Sequence, residues 1–142
     1  MKNNHKNDFR KSCLDRLKFT SLFLKYYKNK IIVKKLEYLV NKSDFKNILL
    51  YIPLGMEVDV KPLINNLRKR KKTVYVPFMQ GESFKIVKYR LPLHKKRFGI
   101  KEPNNSFFKA RKIDLAIVPV VGIDKLGKRI GFGKGMYDRF FS

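Results

Sequence analysis

The sequence predicts an α/β protein of three layers, α/β/α, in which N-terminal helices precede a mixed, mostly parallel sheet. Three observations predict it: helical apolar spacing up to residue 42, a strand–helix–strand unit over roughly thirty residues after it, and a later buried strand that enters a glycine-rich turn. The chain of 142 residues is expected to form a single domain over 1–142, because 44% hydrophobic residues suffice for a core.

Two helices are predicted at the start of the chain. Residues 7–29 have helical apolar spacing, and a second helical stretch follows at 30–42. Cys13 falls on the apolar stripe of the first helix and is expected to pack rather than react. Since it is the only cysteine and neither a secretory signal nor a transmembrane run is evident, a reducing, cytoplasmic location is expected. The stripe consists of Phe9, Cys13, Leu17, Thr20 or Ser21, Leu24 and Tyr27.

The middle of the chain predicts a parallel pair of strands. Asn47–Ile52 is a short apolar run typical of a strand covered on both faces. Helical spacing returns over 60–70, and Pro62 fits only a first turn, so this helix is expected to begin at Asp59–Lys61. Thr73–Phe78 is the next predicted strand. Strand, helix and strand in this order indicate a right-handed crossover.

The second half of the chain predicts the remaining strands. A loop at Met79–Glu82 leads into an alternating run, Ser83–Tyr89, which is expected to be antiparallel to its predecessor. No regular structure is predicted over 91–108, which is rich in proline, glycine and asparagine. Asp114–Val120 is the next buried strand, and Gly135–Phe141 is the predicted opening of a helix. Together these strands make a mixed sheet of four.

The net charge of +23 has three interpretations. A nucleic-acid-binding protein would use such a charge to displace counterions from phosphate backbones. An enzyme with polyanionic ligands would use part of it for steering. The third is a lysine-rich composition of the kind that an AT-rich genome produces, in which most lysines are merely solvated. Histidine and sulfur are too sparse for a soft metal site.

The most informative string is GKRIGFGKGMYD, residues 127–138. Alternating glycines let successive amide groups point into one concavity, and a helix that begins after them would add a partial positive charge. Arginine and lysine add full charges, and an acid one turn later can hold a magnesium ion that bridges phosphates. The string is neither a Walker A motif nor the dinucleotide fingerprint. The residues alone indicate a site for an anion such as a nucleotide phosphate, or else only a tight connection between strand and helix.

The longer string IDLAIVPVVGIDKLGKRIGFGKGMYDRF resembles the signature of the 5-formyltetrahydrofolate cyclo-ligase family. Three further segments match that family in the same order along the chain. They are KNDFR at Lys6–Arg10, YIPLGMEVD at Tyr51–Asp59 and RFGIKEP at Arg97–Pro103. The matches cover most of the chain, although the family continues beyond the YDR helix, so the resemblance implies a domain that is short at its C-terminus.

The resemblance implies a role for each matched residue. ATP would be bound by Lys6, Arg10, Arg129, Ile130, Gly131, Phe132, Gly133, Lys134, Gly135, Met136 and Tyr137. Folate would be bound by Ile52, Glu57, Phe132, Lys134 and Met136, with the Glu57 carboxylate accepting from the paired N–H groups of the pterin-like ring. Asp138 would bind Mg²⁺, and catalysis would rest on Arg129, Lys134 and Tyr137.

The implied activity is the ATP- and Mg²⁺-dependent cyclisation of 5-formyltetrahydrofolate to 5,10-methenyltetrahydrofolate through a phosphorylated formyl group. One alternative is a remnant that binds nucleotide or folate without turnover, and another is a basic nucleic-acid-binding protein that rests on net charge alone. The expected partners are the folate and ATP, with no membrane and no specific nucleic acid. A monomer or a weak homodimer is expected, because an unfinished sheet edge favours association.

Overall fold

The structure is a computed structural model that describes residues 2–142. It begins with two helices, α1 (Lys2–Phe19) and α2 (Leu22–Lys42). The chain changes direction between them because Ser21 caps α2, and its hydroxyl oxygen accepts a hydrogen bond from the Leu24 amide at 3.2 Å. The predicted continuous helix over 7–29 is therefore wrong, and the stretch predicted at 30–42 is the second half of α2. Apolar spacing continues across the break and does not record the change of direction.

A four-stranded mixed sheet forms the centre of the molecule, in the order β3–β2–β1–β6. Its β1–β2 and β1–β6 pairs are parallel, and its β2–β3 pair is antiparallel, as predicted. The crossover helix α3 (Lys61–Lys69) begins with Pro62 in its first turn, also as predicted. The strands are β1 (Asn47–Leu49), β2 (Thr73–Gln80), β3 (Ser83–Lys88) and β6 (Leu115–Ala116).

Several strand boundaries differ from the predicted ones. The strand predicted at 47–52 ends at Leu49, and the one predicted at 114–120 is only Leu115–Ala116. In contrast, β2 extends through Met79 and Gln80, which were predicted to lie in a loop. An apolar run indicates that a segment is buried. The strand itself ends earlier, where the neighbouring strand no longer runs beside it and backbone pairing stops. The residues after β1 and β6 leave the sheet and line its carboxyl edge.

The two faces of the sheet have different coverings. Val74 and Val76 of β2 belong to the main core with Val87 of β3. This core includes Leu63 and Leu67 of α3, and α2 packs against the same helix. Side chains alternate along a strand, so the odd-numbered residues of β2, such as Pro77 and Met79, face the other side of the sheet. That side is covered by loops and by the C-terminal helix.

Two short hairpins and a helix complete the described chain. The first hairpin pairs β4 (His94–Lys95) with β5 (Lys101–Glu102), so the prediction of no regular structure over 91–108 is wrong there. The second pairs β7 (Gly122–Ile123) with β8 (Arg129–Ile130). The helix α4 (Met136–Phe141) begins as predicted and stacks Phe140 on Phe84 of β3, with ring centroids 4.5 Å apart. Among residues 2–142, no helix is both long and apolar enough to cross a membrane.

Candidate functional site

A cavity of about 370 Å³ lies at the carboxyl edge of the parallel strands, which is where open α/β sheets bind ligands. It brings together every residue that the family resemblance implied for the site, with one exception. Ile130 is buried in β8, next to the residues that reach the cavity. The implied residues that line the cavity are Lys6, Arg10, Ile52, Glu57, Arg129, Gly131, Phe132, Gly133, Lys134, Gly135, Met136, Tyr137 and Asp138.

One wall of the cavity is the glycine-rich loop, residues 131–135, between β8 and α4. Gly133 and Gly135 have φ angles of +102° and +67°, a region that residues with a Cβ rarely adopt. Gly135 is also the N-terminal cap of α4. α4 has only six residues, and the cavity lining beside it includes the cations Lys6, Arg10, Arg129 and Lys134.

Arg10 supports this loop from α1. Its Nε donates a hydrogen bond to the Gly131 carbonyl at 2.8 Å. A Cβ at position 133 would lie 3.5 Å from the Arg10 guanidinium carbon, so the guanidinium lies directly against the loop backbone. Arg10 therefore fixes the loop as well as placing a positive charge in the cavity lining.

Two cations of the cavity lining, Arg129 just before the glycine-rich loop and Lys134 within it, contact other side chains. Arg129 donates from Nη2 to the Asp138 carboxylate at 2.8 Å, and its guanidinium lies 5.5 Å from the centre of the Tyr137 ring. The Nζ of Lys134 lies 4.7 Å from the centre of the Phe98 ring. The contacts that hold the Arg129 and Lys134 side chains are weak or partly exposed to solvent. An anion that enters the cavity can therefore bind these two side chains with little loss of stabilising free energy.

The segment after β1 contributes an acidic side chain to the cavity lining. Glu57 follows β1 in an irregular segment, and its Oε1 accepts a hydrogen bond from the Leu54 amide at 2.8 Å. Burial raises the pKa of Glu57 above its ordinary value, and the Leu54 hydrogen bond opposes that rise only in part. The second oxygen of this carboxylate is available to accept a hydrogen bond from a ligand.

Two tyrosines accompany Glu57 in the lining of the cavity. The hydroxyl of Tyr51 donates to the Val58 carbonyl at 3.0 Å. Burial raises the pKa of Tyr51 and of Tyr137 well above the ordinary value, and the nearby Glu57 carboxylate raises both further. Both phenols therefore keep their protons over the physiological range and act as hydrogen-bond donors rather than bases.

Helix α1 is attached to the site through a glycine. A Cβ at Gly122 of β7 would lie 2.7 Å from Cε1 of Phe9 and 3.2 Å from Sγ of Cys13. The prediction that Cys13 packs rather than reacts agrees with this contact. The close approach places Lys6 and Arg10, on the same helix, in the cavity lining.

The acidic residues that line the cavity are Glu57 and Asp138. In the described part of the chain no three histidine, cysteine or acidic side chains gather as a ready-made metal site. Mg²⁺ is often bound by one or two carboxylates together with substrate phosphates, so a single carboxylate beside a phosphate loop fits that mode of binding. Asp138 is the candidate, although here its carboxylate pairs with Arg129.

Several lining residues were not assigned to the site from the sequence. The sheet contributes Pro77, Met79 and Phe84, and the first hairpin contributes Phe98, Ile100 and Lys101. Phe98 has a left-handed backbone conformation, with φ of 61°, which residues other than glycine rarely adopt. The RFGIKEP match includes the three hairpin residues but assigned no role to them. The three sheet residues have no such signal, because their place in the lining depends on how the hairpin folds over the sheet.

Comparisons with known proteins point to one family. The model of the 5-formyltetrahydrofolate cyclo-ligase family matches residues 2–142. The 5-formyltetrahydrofolate cyclo-ligase of Haemophilus influenzae is 32% identical over 109 residues, which span 71% of this chain but only 58% of that protein. The enzyme of the same name from Mycoplasma genitalium is 30% identical over 141 residues, which span 96% of this chain and 76% of that protein.

Solved structures share the fold. The 5,10-methenyltetrahydrofolate synthetase of Aquifex aeolicus matches with a TM-score of 0.78 at 30% identity, over 96% of this chain and 71% of that one. The enzyme of the same name from Mycoplasma pneumoniae matches with a TM-score of 0.72 at 27% identity, over 96% of this chain and 76% of that one. The predicted mixed α/β fold is thereby confirmed, and this chain belongs to the 5-formyltetrahydrofolate cyclo-ligase family.

Proposed function

We propose that this chain closes the ring of 5-formyltetrahydrofolate to give 5,10-methenyltetrahydrofolate, with conversion of ATP to ADP and phosphate in the presence of Mg²⁺. One observation carries the proposal. A single cavity of about 370 Å³ is lined by a cationic glycine-rich loop and by the partly buried carboxylate of Glu57. The loop suits a triphosphate and the carboxylate suits an amino-pyrimidinone ring, so the reacting ends of both substrates can meet in this cavity.

The triphosphate is assigned to the loop side. In this assignment the amide groups of residues 131–135 bind the phosphates, and Lys6, Arg10, Arg129 and Lys134, which line the same cavity, add full positive charges. Positioning and charge neutralisation are the main demands of phosphoryl transfer, since the protein forms no covalent bond with the phosphate. This side of the cavity provides both. Asp138 would hold Mg²⁺ together with the phosphates, and the ion would supply further charge neutralisation there.

The folate ring is assigned to the side of Glu57. The carboxylate can accept a pair of N–H donors, and its partial burial strengthens such hydrogen bonds. Ile52, Phe132 and Met136 provide apolar lining for the ring. Because Phe132, Lys134 and Met136 belong to the loop region, they can contact both substrates and bring the formyl oxygen towards the γ-phosphate.

The proposed chemistry has two steps. The formyl oxygen attacks the γ-phosphorus of ATP, and ADP leaves with the electrons of the broken phosphorus–oxygen bond. The second folate nitrogen then attacks the formyl carbon and loses its proton, and the carbon–oxygen bond breaks to release phosphate. Phosphorylation thus converts a poor leaving group into a good one. Arg129 and Lys134 are proposed to neutralise the transferring group, and the protonated Tyr137 to donate a hydrogen bond to it.

The test is an assay of the purified chain with 5-formyltetrahydrofolate, ATP and Mg²⁺. A rise in methenyl-folate absorbance that matches ADP release mole for mole is expected. Lys134→Met should reduce turnover by about 10²-fold, as the loss of one stabilising group does in other enzymes. Lys128→Met is the matched control, because Lys128 is an exposed lysine of the same segment that does not line the cavity.

The outcomes separate the alternatives. Binding of ATP or folate without product would favour the binding remnant over the enzyme. Absence of both binding and product from a folded chain would refute the proposal altogether. A loss of turnover in Lys128→Met equal to that in Lys134→Met would show that the loop cation acts only through overall charge.

A further inference from the structure

Glu102 is a buried carboxylate that the proposed reaction does not use. Glu102 is 3% exposed. Among the residues whose burial the structure describes, it is the one charged residue that is buried. Acidic residues are rarely buried to this extent unless they are paired. Here the partner is not a cation: Oε2 accepts a hydrogen bond from the backbone amide of Met79 at 2.7 Å.

The position of Met79 explains why an acceptor is needed. Along β2, the backbone groups of alternate residues point away from β3 and towards β1. On the side that faces β1, the Tyr75 carbonyl accepts a hydrogen bond from the Leu50 amide at 2.9 Å. Pro77 has no amide hydrogen. Met79 comes next, but β1 ends at Leu49, so no strand reaches its amide.

The carboxylate of Glu102 therefore takes the place of a strand that is missing beside β2. An unpaired amide in a buried position would be unfavourable, so this hydrogen bond is needed for the hairpin to lie where it does. Glu102 is the last residue of β5, and β5 contacts β2. The hydrogen bond from Met79 to Glu102 thus joins the β4–β5 hairpin to the carboxyl end of β2.

The tip of this hairpin reaches the candidate site. It is closed by a hydrogen bond from the Lys96 amide to the Ile100 carbonyl at 2.7 Å. Within it, the ring of Phe98 contacts two cations, and its centre lies 4.8 Å from the Arg97 guanidinium and 4.7 Å from Nζ of Lys134. Phe98 and Ile100 both line the cavity. Displacement of the hairpin would therefore remove one wall of the cavity and the ring that contacts Lys134.

We propose that Glu102 is a positioning residue, whose carboxylate attaches the hairpin to Met79 and thereby places Phe98 against Lys134. Its effect on turnover rests on the proposed function, whereas its effect on the hairpin does not. The role requires an acceptor at this position rather than a negative charge. Glutamine keeps the shape and an acceptor oxygen, and methionine keeps the approximate shape but has no comparable acceptor.

The experiment uses Phe98→Trp as a reporter, because the chain contains no tryptophan. In that background, Glu102→Gln should leave the tryptophan emission unchanged. Glu102→Met should shift the emission to longer wavelength as the hairpin leaves the cavity, with circular dichroism confirming that the fold persists. In the chain with native Phe98, Glu102→Met should lower 5-formyltetrahydrofolate turnover by about tenfold or more, and Glu102→Gln by less than about threefold.

Each result is decisive. Unchanged emission in Glu102→Met would overturn the proposal, and so would a shift in emission with normal turnover. If the parent chain has no turnover, the proposed function fails while the emission result still tests the attachment. If Glu102→Met does not fold, hydrogen exchange on the parent chain replaces it. The Met79 and Lys96 amides should then exchange together, and rapid exchange of Met79 beside a protected Lys96 would overturn the attachment.

Discussion

Replacement of Gly122 by alanine should displace helix α1 and, with it, two cations of the candidate site. A Cβ at this position would lie 2.7 Å from Cε1 and 3.1 Å from Cζ of Phe9. Carbon atoms in contact prefer about 3.5–4.0 Å, so the Phe9 ring has to shift by about 1 Å. The added Cβ would also lie 3.2 Å from Sγ of Cys13, one turn along α1, so we expect the helix to shift with the ring. Overpacking of this size costs roughly 1–3 kcal/mol of stability. Because Arg10 bonds to Gly131 at 2.8 Å, the same movement breaks that hydrogen bond.

The assay combines urea unfolding with ATP titration of the folded protein. Gly122→Ala should lower the free energy of unfolding by about 1–3 kcal/mol and weaken ATP binding by about tenfold or more. Gly55→Ala is the matched control, since nothing lies within 4 Å of its added Cβ and its φ is not positive. Phe9→Ala should restore ATP binding in the Gly122→Ala background. Normal stability and ATP affinity in Gly122→Ala alone would refute the claim that this contact positions α1.

Three further predictions concern charged side chains. Burial raises the pKa of Glu57 in the folded state. Ionisation of this carboxyl therefore lowers the stability of the folded state as the pH rises from the ordinary carboxyl pKa through the raised pKa. Glu57→Gln should therefore be more stable than the parent at neutral pH but not at acid pH, by urea unfolding, while binding folate more weakly. Asp138→Asn breaks an exposed pair with Arg129, so unfolding should change by less than about 1 kcal/mol while Mg²⁺-dependent ADP release falls about tenfold or more. Arg139 donates to the Lys134 carbonyl at 2.7 Å and to the Glu82 carbonyl, so Arg139→Ala should speed amide exchange in residues 131–135 and Arg139→Lys should do so less. Equal exchange in both variants and the parent would contradict this.

The elements that the sequence predicted well are those whose signal is local. Pro62 located the first turn of α3, and alternation over 83–88 predicted an antiparallel β3. The glycine-rich string predicted a loop before a helix, and α4 begins at Met136. In these cases a few adjacent residues determine backbone geometry, so no knowledge of distant contacts is needed.

The features that the sequence did not predict leave no periodic signal in it. The turn at Ser21 interrupts a continuous apolar stripe, so periodicity hides it although the capping residue is present. The β4–β5 hairpin has strands of only two residues each, too short for a periodic signal. Its position follows from the bond between Glu102 and Met79, 23 residues apart, which no local pattern records.

The candidate site differs in one respect from the core beneath it. The core is held by apolar packing among α2, α3 and the sheet. The walls of the cavity are held largely by single side chains that bond to backbone groups of another segment: Arg10 to Gly131, Glu102 to Met79 and Arg139 to Lys134. Each such bond contributes little to global stability but determines where one wall lies. Loss of any one should therefore open the site locally while the sheet remains folded, and hydrogen exchange should detect that opening in the cavity walls before it appears in β1 or β2.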